Sequence, residues 1–254
     1  MPPGDRLPLV TARLPNALHA LCWYVATTFV PTGLCPMRMH RGASFSSPYL
    51  AACATAILAV VALAWHRRRS WPFLATGLAW YGVALAPMIG IVQVGIQGTA
   101  DRYAYIPQIG IIMAVTWTVA DLATGLRPGR LMVGGLAAAT LACVALDFRQ
   151  IAIWRDGETL WNHVLAVEPD NFVAHDGLGN MWHVRHHFEN ARHHYTEALR
   201  HSGERPRFIA NLAWLHYDVG DLPRAHAYRD WAVRVGPRDP DVRRMVSHVN
   251  RPLP

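Results

Sequence analysis

The chain has 254 residues, is 52 % apolar and carries a net charge of +7, with a mean hydropathy of +0.12. Divided at Gln150, the first part holds eleven Arg against four acidic residues, while the second holds thirteen of each. The whole positive excess therefore sits among apolar runs, where Arg in short loops marks a membrane protein. A nucleic-acid-binding domain would cluster that charge on a polar, water-facing surface, so no nucleic-acid partner is expected. The four cysteines, Cys22, Cys35, Cys53 and Cys143, show no CxxC spacing and read as small apolar packing residues.

A bilayer core needs about 20 apolar helical residues to cross. In chain order, the stretch from Leu14 to Val30 comes first. It has Pro15, Asn16 and His19 near its start, and it either spans or lies in the interface. Charge-free runs then predict membrane helices near 49–65, 71–95, 104–121 and 131–148. Pro87 and Gly90 predict a kink or an early end in the second of these. The densest basic cluster, His66 to Arg69, sets the cytoplasmic side. The loop around Asp101 then lies outside, Leu126 to Arg130 inside, and the part beyond Arg149 outside again. In a bacterium that is an inner-membrane protein with a periplasmic C-terminal part. The loop from Pro31 to Pro48, with Arg38 and Arg41, also falls outside and weighs against this orientation without outnumbering His66 to Arg69.

Beyond Gln150 the pattern repeats every 34 residues. With Phe172 as position 1, Leu178 is 7, Gly179 is 8, Trp182 is 11, Ala191 is 20, Tyr195 is 24 and Ala198 is 27. From Pro206 the same frame gives Leu212, Ala213, Gly220 at 15, Ala225, Ala232 and Pro237 at 32. One period earlier, Trp161 falls at 24 and Pro169 at 32. Small residues at 8, 20 and 27 with large ones between them are the tetratricopeptide (TPR) signature, in which small side chains let paired helices approach. The expected architecture is all-α: a multi-pass membrane helix bundle over 1–150, then a short TPR α-solenoid over 151–254. The solenoid comprises a partial unit 151–171, full units 172–205 and 206–239, and a possible cap at 241–250. Its groove would be lined by positions 2, 5, 9, 12 and 13 of the first helices, including Asn180 and His183. Such grooves hold a peptide or partner protein.

Eleven of the fourteen histidines follow Gln150, densest from His183 to His194. His183 and His187 are one helical turn apart, the spacing of a metal-ligand pair. The repeat frame instead turns His183, His186, His193 and His194 mostly toward water and puts His186 and His187 in an interhelical turn. No metal site is assigned on this basis; a surface charge that titrates near neutral pH is expected.

The most unusual stretch is GTADRYAYIP, Gly98 to Pro107. Asp101 and Arg102 can pair, with Tyr103 and Tyr105 as interfacial anchors. Alternatively, Asp101, Arg102, Tyr103 and Tyr105 form a site for a lipid-linked phosphate, which an Arg fork grips at the membrane edge.

GTADRYAYIPQIG and the later WRDGETLWNHVLAVEPDNFVAHDGLG, together with ARLPNALHALCWYVATTFVPTGLCP upstream, resemble the C-terminal half of the transmembrane-and-TPR (TMTC-type) protein O-mannosyltransferases and their bacterial relatives. These are GT-C membrane glycosyltransferases. The resemblance covers roughly residues 12–237. It implies hexosyl transfer from a polyprenyl-phosphate-sugar donor to an acceptor outside the cytoplasm, with the TPR units presenting the acceptor. In that family the catalytic acidic residues lie in the first outer loop, and this chain begins about where the family's second half begins. A fragment, a mis-started product or a degenerate relative, inactive alone, is therefore expected, and no catalytic residue is transferred to any position here.

Overall fold

The computed structural model describes residues 13–39, 45–91, 97–124 and 129–250. Expectations that fall on 12, 40–44, 92–95 and 125–128, including Arg41, most of the Leu126 to Arg130 loop and the end of the predicted 71–95 helix, lie outside the described residues. The chain divides into two compact units between residues 136 and 137.

The first unit contains α1 (Leu14–Phe29), α2 (Ser47–His66), α3 (Pro72–Leu85) and α4 (Tyr105–Leu122), and α5 (Arg130–Ile153) begins in it. A two-stranded antiparallel ribbon, β1 (Arg38–Met39) with β2 (Gln97–Thr99), pairs Arg38 with Thr99. The ribbon is the one departure from an all-helical chain among the described residues. Its partners are about sixty residues apart, a pairing that periodicity does not reveal.

Among the described residues, three helical stretches are long and apolar enough to cross a membrane: Ser47–His66, Tyr105–Leu122 and Val133–Ile153. Four were expected. The helix predicted over 71–95 stops at Leu85, because Pro87 has no N–H to donate and its ring crowds the carbonyl four residues back. Fourteen helical residues rise about 21 Å against a hydrocarbon core of about 30 Å. Leu58, Trp65, Ile109, Ile112 and Trp117 face outward from α2 and α4, as lipid-facing side chains do. Inside, Ala17, Ala20 and Tyr24 of α1 pack on Tyr81 and Leu85 of α3 and Ile111 of α4. The tightest approach joins α3 to α4: a Cβ on Gly77 would stand 2.4 Å from the Gly110 carbonyl oxygen, and one on Gly110 the same distance from that of Gly77. Paired small residues bring helix backbones together where no water drives association.

The second unit holds α6 (Gly157–Val167), α7 (Phe172–Val184), α8 (Phe188–Ser202), α9 (Pro206–Asp218), α10 (Leu222–Val235) and α11 (Pro240–Val249). Asp156 and Asn171 cap α6 and α7, each side chain accepting an amide N–H of the first turn. Helices α7, α9 and α11 begin at 172, 206 and 240, and α8 and α10 at 188 and 222; each step is the 34 residues read from the sequence. Ala191, Ala198, Ala213, Ala225 and Ala232 are fully buried, and a Cβ on Gly179 would meet the Tyr195 ring at 2.5 Å. The small positions of the repeat thus lie in the buried interior between its helices. The core continues through Ile209, Tyr217, Val242 and Met245, so α11 covers the apolar face that α9 would otherwise expose.

Candidate functional site

Three places in the two units gather polar chemistry. In the first unit, α1 holds the Gly98 to Tyr103 segment in shape. Asn16 donates to the Gly98 carbonyl at 3.1 Å. The Tyr24 hydroxyl donates to the Ala100 carbonyl and accepts the Ala100 amide, both at 3.0 Å. This puts Asp101 at the start of a 3-10 turn, Asp101–Tyr103. Its carboxyl is pushed up to about 7 by burial, opposed by the Arg38 guanidinium and the Cys35 backbone amide. The cation that faces Asp101 is therefore Arg38, from the ribbon, and not its chain neighbour. Arg102 instead donates to the Pro36 carbonyl at 3.0 Å and lies over the Tyr103 ring, 4.9 Å from its centroid. Tyr103 accepts from Gln97 at 2.6 Å. The structure brings Asp101, Arg102 and Tyr103 together, whereas Tyr105 is 72 % exposed on the first turn of α4. No Asp101–Arg102 pair forms, because the 3-10 turn sends the two side chains different ways; Arg38 acts on the Asp101 carboxyl only through its charge.

In the second unit a groove with a cavity of about 940 Å³ runs along α7, α9 and α11. Asn180 and His183, at positions 9 and 12 of the 34-residue frame, both line it. So do Arg207, Ala210, Trp214, Tyr217 and Asp218, at positions 2, 5, 9, 12 and 13 of the next unit, and Asp241, Arg244 and His248 at 2, 5 and 9 of α11. A polar network fixes the wall. His183 Nε2 is 2.9 Å from Asp218 Oδ2, and His248 Nε2 is 3.2 Å from Asp218 Oδ1. The Tyr195 hydroxyl donates to Asn180 at 2.9 Å. Below it, the buried Asp176 carboxylate accepts Arg207 at 2.8 Å and Asn211 at 2.6 Å. Burial raises the Asp176 pKa, and Arg207 and Asn211 pull it back. His183 was expected to face water, yet its side chain is only 15 % exposed. Burial lowers its pKa against the pull of Asp218. The α8 and α9 side chains that enclose it are invisible to a single-helix periodicity. His186 and His187 do fall in the turn between α7 and α8, as read.

The third cluster was missed by the sequence reading. His175, Glu197 and His201 bring one ligand atom each within 4.8 Å of one another, while His187, half of the pair weighed for metal, stacks edge-on against Trp182. His194 stands beside the cluster, its Nδ1 3.1 Å from that of His175. Burial, with repulsion from His175 and His193, lowers His194 to about 4. Burial likewise lowers His175, opposed by its hydrogen bond to Pro169. The available signal was His194, Glu197 and His201 at i, i+3 and i+7, which share one face of a helix. His175 comes from α7 and carries no such signal.

Comparison with known proteins returned no matching family model, no curated protein and no solved structure.

Proposed function

We propose that this chain is a membrane-anchored repeat protein that captures an extended segment of a partner protein in the groove of a short TPR array. One observation carries the reading: positions 9, 12 and 13 of α7, positions 2, 5, 9, 12 and 13 of α9, and positions 2, 5 and 9 of α11 line a single cavity of about 940 Å³. Trp214 and Met245 supply apolar lining, the exposed Val184 an apolar edge, and Arg207, Arg244 and His248 polar ones. This mixture suits a polypeptide, whose side chains alternate in character while its backbone needs hydrogen-bond partners. The membrane helices would act as the anchor, with the array on the periplasmic side of a bacterial inner membrane.

The test is capture of partners by the full-length chain in detergent, comparing wild type with Trp214→Ala and Arg244→Glu. Retained helicity with loss of the captured protein is expected. A partner held equally by both variants, or by an array blocked with antibody, would sink the reading. Labelling of Arg185→Cys and of Arg68→Cys, each in a chain whose four native cysteines are replaced by Ser or Ala, by a membrane-impermeant reagent tests sidedness. The first should react from outside and the second should not.

A second reading draws on the resemblance to GT-C glycosyltransferases: the loop at Asp101 contacts a polyprenyl phosphate, and the chain belongs to a hexosyltransferase whose catalytic part lies elsewhere. The exposed Arg102 on the turn that Asp101 opens favours it, because guanidinium groups at the membrane edge grip phosphate. Arg102→Ala should then reduce co-purified polyprenyl phosphate. Unchanged lipid content would remove the phosphate site and leave the groove untouched.

A further inference from the structure

We propose that His175, Glu197 and His201 form a zinc site that clamps α7 to the C-terminal half of α8, with His194 at its border. The site is separate from the groove. It involves α7 and α8 and the Glu168–Asn171 connection between α6 and α7.

The hydrogen bonding already sorts the ring nitrogens. His175 Nε2 is 3.2 Å from the Pro169 carbonyl oxygen. A carbonyl only accepts, so Nε2 carries the proton and Nδ1 keeps the lone pair. His201 Nδ1 is 3.5 Å from Asp170 Oδ1, and its Nε2 stands 3.4 Å from Glu197 and 3.2 Å from the Arg200 guanidinium, a contact that a bound zinc would displace. Each imidazole thus has an outer partner, a carbonyl for one and a carboxylate for the other. Such partners orient metal-binding histidines and raise their basicity. Arg200 pairs with Glu197 from the solvent side and favours its ionised, ligating form.

The spacing fits a small tetrahedral ion. Donors about 2.0–2.2 Å from zinc stand about 3.3–3.5 Å from one another across a tetrahedron. The Glu197–His201 edge is 3.4 Å. The full trio lies within 4.8 Å, a gap closed by small rotations of side chains on the half-exposed end of α8. His175 and His194 meet at 3.1 Å, so His194 is placed to fill the fourth position, or water takes it. Two imidazoles and one carboxylate suit zinc better than calcium or magnesium, which prefer all-oxygen sets. Neutral stacking gives the cluster another reason to exist: the His175 and His201 rings lie 6.1 Å apart at an interplanar angle of 9°. Stacking, however, does not require a carboxylate, and it gives no cause for both rings to have outer partners.

The test uses the full-length chain in detergent, purified without a polyhistidine tag and stripped with EDTA, then dialysed against zinc. About one zinc per chain is expected. Glu197→Gln and His201→Gln should each weaken it at least about tenfold, while His187→Gln, on the exposed turn, leaves affinity unchanged. His175 is buried, so its substitution is not used. A location test independent of any variant is hydrogen exchange of the wild-type chain. Zinc should slow amides over 169–178 and 194–202 and leave α9 and α10 unchanged. Equal zinc binding by wild type and both variants, no zinc on the wild type, or protection centred elsewhere would overturn the proposal.

Discussion

His186 and Gly220 stand 34 residues apart and turn the chain in the same left-handed sense, with φ of 59° and 80°. Each closes one helical hairpin, α7 to α8 and α9 to α10. Glycine adopts that conformation without penalty, whereas a residue with a Cβ is held there at a cost of about 1–3 kcal/mol. His186→Gly is therefore expected to stabilise the second unit by about 1 kcal/mol, and Gly220→Ala to destabilise it by about the same amount. Urea unfolding of both variants measures this. A lower midpoint for His186→Gly would mean that its ring contact with Phe188, 5.6 Å between centroids, outweighs the backbone strain.

The α3–α4 crossing makes a second prediction. Gly77 and Gly110 leave no room for a Cβ, since the nearest atom on either side is backbone oxygen at 2.4 Å. Backbone cannot rotate away as a side chain can. Gly110→Val is expected to push the helices apart and cost about 1–3 kcal/mol. Thermal unfolding in detergent should show it, with Gly82→Val, which meets nothing within 4 Å, as the neutral control. An equal effect from both would reduce the result to glycine chemistry in general.

Asn171 tests the junction between α6 and α7. It is fully buried, accepts the Ala174 amide at 3.0 Å and donates to Glu168 at 2.7 Å. Asn171→Ala removes the cap and leaves a buried amide without it. A loss of about 2 kcal/mol is expected, against about half that for Asn171→Ser, whose hydroxyl keeps a cap acceptor without setting a second carboxylate against Glu168. Denaturant titration separates the two.

Acid should loosen the second unit. Burial lowers the pKa of His183 against the pull of Asp218, and that of His216 against Asp221. An unfolded histidine titrates near about 6.5. As pH falls through that value, the unfolded chain takes up protons that the folded chain resists. The contribution to stability is thus full above about 6.5 and is lost on acidification toward the folded values. Urea midpoints followed at α7 and α9 by hydrogen exchange should fall between about pH 7.5 and pH 5.5. A flat profile would show that both rings ionise in place. Asp101 acts with the opposite sign in the first unit. Its raised pKa, about 7, makes stability decline as pH rises from about 4 to 7, and Asp101→Asn should flatten that slope.

How legible each site was follows from how far apart its residues lie in sequence. Asn180 and His183 were read as groove residues because a 34-residue period fixes which helical positions face inward, whatever occupies them. The solvation of His183 was misread because Asp218, 35 residues on, and Tyr195, on the next helix, enclose it. In the Gly98 to Tyr103 segment, sequence adjacency suggested that Asp101 pairs with Arg102. The 3-10 turn and the ribbon that carries Arg38 decided otherwise.

The sequence by itself determined the run of apolar helices, the place where Pro87 cuts one short, and the phase of the repeat. Each is a local matter of hydropathy, backbone donors or side-chain size recurring at helical spacing. Only the tertiary structure decided which carboxylate meets which cation, that His175 leaves α7 to join Glu197 and His201 of α8, and that Gly77 lies against Gly110. Those are contacts between elements, and the distance between two helices is set by the side chains that pack them, not by the order in which the residues are joined.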